Sequence, residues 1–166
     1  MEKIIFLDID GVLNNNTWSQ NHQGVISDDI LIDEKKVKLL YKIIKATGAG
    51  VVLHSGWKIW FNDMIQPTRK ESQKLVEILG RCHITIFDIT PDFSTEEIRK
   101  TRKFSLVKAK EILSWLHGHP EIRNWIVLDD LYLHDAEIEK HQIMTNQETG
   151  LVQEDVELAI AMLNKL

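Results

Sequence analysis

The chain is short of cysteine, of net positive charge and of long apolar runs, and each shortage closes off a class of protein. A single cysteine, Cys82, leaves no partner for an internal disulfide and fits a reducing compartment. The formal net charge is −5, so any nucleic-acid contact has to come from a local basic patch rather than a global field. No apolar run approaches the length that spans a bilayer, and the opening residues carry neither the basic region nor the cleavage site of a signal peptide. The expected location is the cytoplasm, with no membrane partner and no obligate protein partner evident. Repeats, low-complexity tracts and linkers are also absent. What remains is 166 residues, 43% apolar and 27% charged, the make-up of an ordinary soluble domain, and it is read as one domain over residues 1–166.

The apolar pattern alternates between strands and helices. Residues 3–9 read as a fully buried strand. Residues 14–32 are polar and turn-rich, with a short hairpin expected near their end. From Asp33 to Thr47 the stripe Val37, Leu40, Tyr41, Ile44 predicts a helix capped by Asp33 and stopped by Gly48. A second buried strand is expected at 50–54, a short aromatic-rich helix at 57–65, and a helix opened by a capping box at T-R-K-E, 68–71, and ended by Gly80. A third strand at 83–87, a charged loop from Asp88 to Lys103 and a helix after Ser105 follow. A fourth strand at 124–128, a short fifth near 141–145 and a closing helix from 153 to 164 complete the chain. Strands that are apolar throughout, alternating with amphipathic helices, imply an α/β protein: a three-layer, Rossmann-like parallel sheet covered on both faces.

In such sheets ligands bind beyond the carboxyl ends of the strands. Strand one ends in Asp8-Ile9-Asp10, strand two in His54-Ser55-Gly56 and strand four in Asp129-Asp130, so four carboxylates converge on one edge. Strand alternation turns Asp8 and Asp10 the same way, and like charges on one face repel unless a cation lies between them. Oxygen ligands favour a hard ion, and Mg²⁺, bound through one or two carboxylates plus waters and phosphate, suits a site with open positions.

These residues resemble the motifs of the haloacid dehalogenase (HAD) superfamily of phosphatases. D-I-D-G-V-L at 8–13 is similar to its first motif, L-H-S-G at 53–56 to its second and I-V-L-D-D at 126–130 to its fourth. The third motif, a lysine near the start of the preceding helix, is assigned to Lys108, with Lys103 and Lys110 as rivals. The stretches L-H-S-G-W-K, K-A-K-E-I-L-S-W-L and T-G-L-V-Q-E-D resemble more narrowly the compact HAD domain of RNA-repair proteins. The resemblance implies that Asp8 attacks phosphorus and that Asp10 protonates the leaving oxygen and then activates water, its backbone carbonyl also touching the metal. It further implies that Ser55 bonds a phosphoryl oxygen, that Lys108 neutralises Asp8 and the transferring group, and that Asp130, with Asp129 as the alternative, binds the metal. Gly11 and Gly56 complete the expected phosphate site, Gly11 by a sharp exit from the strand and close approach of backbone N–H groups.

The gaps 11–54 and 56–107 leave no room for a cap domain. An open site suits phosphate on a bulky end, so the expected partner is a nucleic-acid end or a phosphorylated small molecule. A phosphatase of a metabolite or phosphoprotein is one alternative, and a non-catalytic HAD-fold binding module is another. Trp18 is available for base stacking, and the basic run R-K-T-R-K at 99–103 is either a rim for a polyanion or a solvated loop. Trp57 and Trp60, at helical spacing, are expected in the core, and Lys58 stands where an arginine would grip phosphate better. His54 either meets substrate or packs, and the other histidines show no metal-ligand spacing.

Overall fold

The computed structural model describes residues 2–15 and 32–165. Five strands form one parallel sheet in the order β3-β2-β1-β4-β5. They are β1 (Lys3–Leu7), β2 (Gly50–Leu53), β3 (Ile86–Ile89), β4 (Asn124–Asp129) and β5 (Gln142–Met144). The helices are α1 (Glu34–Thr47), α2 (Lys70–Arg81), α3 (Glu96–Thr101), α4 (Ser105–His117), α5 (Ala136–Glu139) and α6 (Gln153–Leu163).

Strand alternation splits the core in two. Ile5, Leu7, Val51, Leu53, Ile126 and Leu128 pack under α1, α2 and α6. Ile4, Phe6, Val52 and Val127 point the other way, onto Ile112 and Trp115 of α4 and Ile138 of α5. The Phe6 ring meets Trp115 and Trp125 edge-on at 5.4 and 6.0 Å. The expected three-layer α/β architecture is therefore present, and strand order reverses between β1 and β4.

The ends of α1 follow the sequence closely. Asp33 accepts a hydrogen bond from the Lys35 N–H at 2.9 Å, and Gly48 turns left-handed at φ 70° with its N–H on the Ile44 carbonyl. Elsewhere the expectations shift. The third strand begins at Ile86 rather than residue 83, because His83 is left-handed (φ 59°) and the Ile84 N–H bonds back to Leu79, so 82–85 wraps the end of α2. The α2 cap moves one residue: Ser72 Oγ, not Glu71, accepts from the N-cap N–H of Arg69 at 3.2 Å. Residues 56–60 form a 3₁₀ turn instead of a longer helix, since Ile65 at φ 59° and the Asn62 side chain bend the chain into a tight loop. The loop 88–103 contains α3, capped by Thr95. The expected hairpin within 14–32 and the stacking role of Trp18 fall outside the described residues. Among the described residues no helix is long and apolar enough to cross a membrane.

Candidate active site

Register places the site. Leu7 pairs with Leu53 on one side and Leu128 on the other, so the next residues, Asp8, His54 and Asp129, lie side by side at the carboxyl edge of the sheet. Each shares the parity of Phe6, Val52 and Val127, which face α4. Lys108 lies one turn into α4 and reaches this row: its Nζ is 3.0 Å from Asp8 Oδ2 and 2.7 Å from Asp129 Oδ2. Of the three candidate lysines it is the one on Asp8; Lys110 lies over the Phe93 ring at 5.3 Å, and Lys103 is exposed.

Asp8, Asp129 and Asp130 each offer an oxygen, and the three lie within 4.8 Å of one another. Asp8 and Asp129 are buried and Asp130 is partly exposed. Burial pushes Asp8 up, but the Lys108 cation and hydrogen bonds from Lys108 and Ser55 outweigh it and hold the carboxyl below its ordinary range. Burial and then the charge of Asp8 push Asp129 well up, and the same two causes raise Asp130. Against burial, the two carboxylates raise Lys108, so it stays charged. Three carboxylates share one ammonium, and that surplus of negative charge is what a bound cation offsets. The all-oxygen donor set fits a hard divalent ion.

Asp10 stands apart from this cluster. The strand ends at Leu7 and Asp10 lies in the turn at 10–13, outside the group of three clustered carboxylates. The exposed Asp10 carboxylate is held from two sides, by Trp57 Nε1 at 3.0 Å and by Asn14 Nδ2 at 2.8 Å. Trp57 is buried, as expected of a core residue, yet its indole N–H also fixes Asp10. Gly11 turns at φ 79°, and a Cβ there would lie 2.4 Å from Asp130 Cγ, so only glycine lets the Asp130 side chain lie against the turn. In this structure the Gly11 N–H donates to Asn14 Oδ1 at 2.9 Å. Thr145 Oγ1 donates to the Gly11 carbonyl at 2.8 Å, tying the residue after β5 to the same turn.

Ser55 caps the 3₁₀ turn, its Oγ accepting from the Trp57 N–H at 3.3 Å, and its hydroxyl helps to hold Asp8 low. Gly56 begins the turn against the Phe104 ring. His54 is fully buried, with Nε2 3.5 Å from Asp129 Oδ2, and neither ring nitrogen makes a hydrogen bond. Burial and the Lys108 cation push it down to about 3, so it is a neutral packing residue beside the charge cluster.

Two features escaped the sequence reading. Lys58 does not face phosphate: its Nζ pairs with Glu111 of α4 and donates to the Pro91 carbonyl at 2.9 Å, both side chains being buried. Glu111 also accepts from Phe93 N–H at 2.8 Å, so the pair ties the 3₁₀ turn to the helix that carries Lys108. Breaking it leaves a buried charge alone: Glu111→Gln is expected to lower unfolding stability by about 3 kcal/mol in urea denaturation. The other feature is the stacking of His119 on Trp115 at 3.7 Å and of His141 on Trp125 at 3.8 Å, which accounts for two histidines without a metal.

A parallel sheet with an aspartate at the end of its central strand, a lysine on that aspartate and an acidic pair at the next strand end define an α/β protein of the HAD type. The chain belongs to the family described as the HAD domain in Swiss Army Knife RNA repair proteins, whose model matches residues 4–156. No curated protein and no solved structure matches it. The family suggests a hydrolase of the phosphatase type.

Proposed function

We propose that the protein is a Mg²⁺-dependent phosphatase that hydrolyses phosphate monoesters through an aspartyl-phosphate on Asp8. The observation that carries this reading is the position of Asp8: buried, kept ionised by Lys108 at 3.0 Å and flanked by the Asp129-Asp130 pair at the switch point of the sheet. Asp8, Asp129 and Asp130 would hold the ion, which supplies charge neutralisation for the phosphoryl group.

In the first half-reaction an Asp8 Oδ atom attacks phosphorus and the bond to the leaving oxygen breaks. The Asp10 carboxyl gives its proton to that oxygen. In the second half Asp10, now a carboxylate, takes a proton from water as the water oxygen attacks phosphorus. The bond from phosphorus to Asp8 breaks, and inorganic phosphate leaves. The Trp57 indole and Asn14 amide aim the Asp10 carboxyl through both halves. Lys108 balances charge as it develops on Asp8 and on the phosphoryl oxygens, and the Ser55 hydroxyl donates to one of those oxygens.

The family's description places such domains in RNA repair proteins, which supports a nucleic-acid end as the ester that this site acts on. The test is phosphate release from a generic aryl phosphate and from 3′- and 5′-phosphorylated oligonucleotides, with Mg²⁺ and with chelator. Release that depends on Mg²⁺ is expected; release undiminished by chelator contradicts the metal requirement.

A further inference from the structure

A cavity of about 300 Å³ opens beside Asp10, between the 3₁₀ turn and the segment that joins α3 to α4. It lies on the side of the group that protonates the leaving oxygen, so it is where the rest of the substrate has to go. Its walls are flat and apolar: Trp60 and Phe104 are both partly exposed, and the missing side chain of Gly56 leaves the Phe104 ring uncovered. Trp60 is braced from behind by Trp57, ring centroids 5.0 Å apart, and by the Arg69 guanidinium at 5.8 Å, so it is a fixed surface.

Two arginines border the cavity, and they differ. Arg99 is committed, with Nη2 2.8 Å from Asp92 Oδ2 and Nε donating to Ser94 Oγ. Arg102, exposed at the left-handed end of α3, makes no hydrogen bond or ion pair among the described residues. A flat apolar slot with one uncommitted guanidinium on its rim matches a planar ring system that carries an anion of its own.

We propose that this cavity is the leaving-group subsite and that it takes a nucleoside bearing a second phosphate, the base stacking on Phe104 and Trp60 and the second phosphate meeting Arg102. The proposal rests on the phosphatase reading for the identity of the leaving side. A sugar phosphate lacks the ring, and phosphotyrosine lacks the second anion. Aromatic stacking of a base is worth enough to change affinity tenfold or more.

The experiment separates binding from turnover. Calorimetry on the full chain carrying Asp8→Asn, with Mg²⁺, compares adenosine 3′,5′-bisphosphate, adenosine 5′-monophosphate, phosphotyrosine and glycerol 3-phosphate. The bisphosphate is expected to bind at least about tenfold more tightly than the monophosphate, and the monophosphate more tightly than glycerol 3-phosphate. Adding Arg102→Gln should reduce the bisphosphate-to-monophosphate ratio about tenfold, and Phe104→Ala should reduce the advantage of both nucleotides over glycerol 3-phosphate. Equal affinity for bisphosphate and glycerol 3-phosphate, variants that weaken all four probes alike, or a preference for phosphotyrosine would each overturn the proposal. Turnover of the same probes by the unmutated chain is read beside it. A binding preference without any hydrolysis contradicts the phosphatase reading and supports the subsite; hydrolysis without any preference contradicts the subsite alone.

Discussion

Replacing Asp8 by asparagine is expected to lower Mg²⁺-dependent phosphate release by at least about a thousandfold while the protein stays folded. The amide has nearly the shape of the carboxylate, so the position between Lys108 and Asp129 remains filled. It cannot form the acyl phosphate, and no neighbouring group takes over. Asp129 is committed to Lys108 and to the Leu131 N–H, and the Asp10 carboxylate is held by Trp57 and Asn14. Removing one negative charge also relieves the repulsion that raises Asp129 and Asp130, so the thermal midpoint should hold or rise in the absence of metal. Steady-state assays of wild type and variant, with a melt of each, check both halves. A variant that keeps wild-type turnover removes Asp8 from the chemistry.

Lys108→Met is expected to be the most destabilising single change at the site. The lysine is buried and contacts two buried carboxylates, at 3.0 and 2.7 Å. Methionine fills a similar volume but leaves Asp8, Asp129 and Asp130 with no cation among them. Breaking a buried ion pair in this way costs about 3–5 kcal/mol. On the proposed metal site, saturating Mg²⁺ should recover more stability in the variant than in the wild type. Thermal melts of both proteins, with Mg²⁺ and with chelator, give the comparison. An unchanged midpoint in chelator would mean that the three carboxylates do not depend on Lys108 for their charge balance.

The fold was legible because burial on both faces keeps the middles of β1, β2 and β4 apolar. Ile4 to Leu7 and Trp125 to Leu128 read as continuous apolar runs, and the polar residue that follows each run marks a strand end. From those ends alone Asp8, Ser55 and Asp129-Asp130 fall together, and one turn of helix brings in Lys108. Strand β3 was harder to place, since 83–89 alternates weakly and the left-handed His83 cannot be read from its residue type. Helix α3 was missed because its six residues bury no side chain, so it has no apolar stripe to detect. The Trp57 indole bond to Asp10 joins residues 47 apart and follows from packing, which no local pattern encodes. The burial of Lys58 against Glu111 is of the same kind, a tertiary pairing that looks in sequence like two surface charges.

The central claim is a phosphorylated Asp8. During turnover of an aryl phosphate with Mg²⁺, borohydride quench reduces an aspartyl-phosphate to homoserine, and peptide mass spectrometry reads which residue carried it. The account predicts homoserine at position 8, present only when substrate and Mg²⁺ are both supplied and absent from Asp8→Asn. An unmodified Asp8 alongside rapid turnover, or a phosphorylated residue elsewhere in the chain, would contradict it.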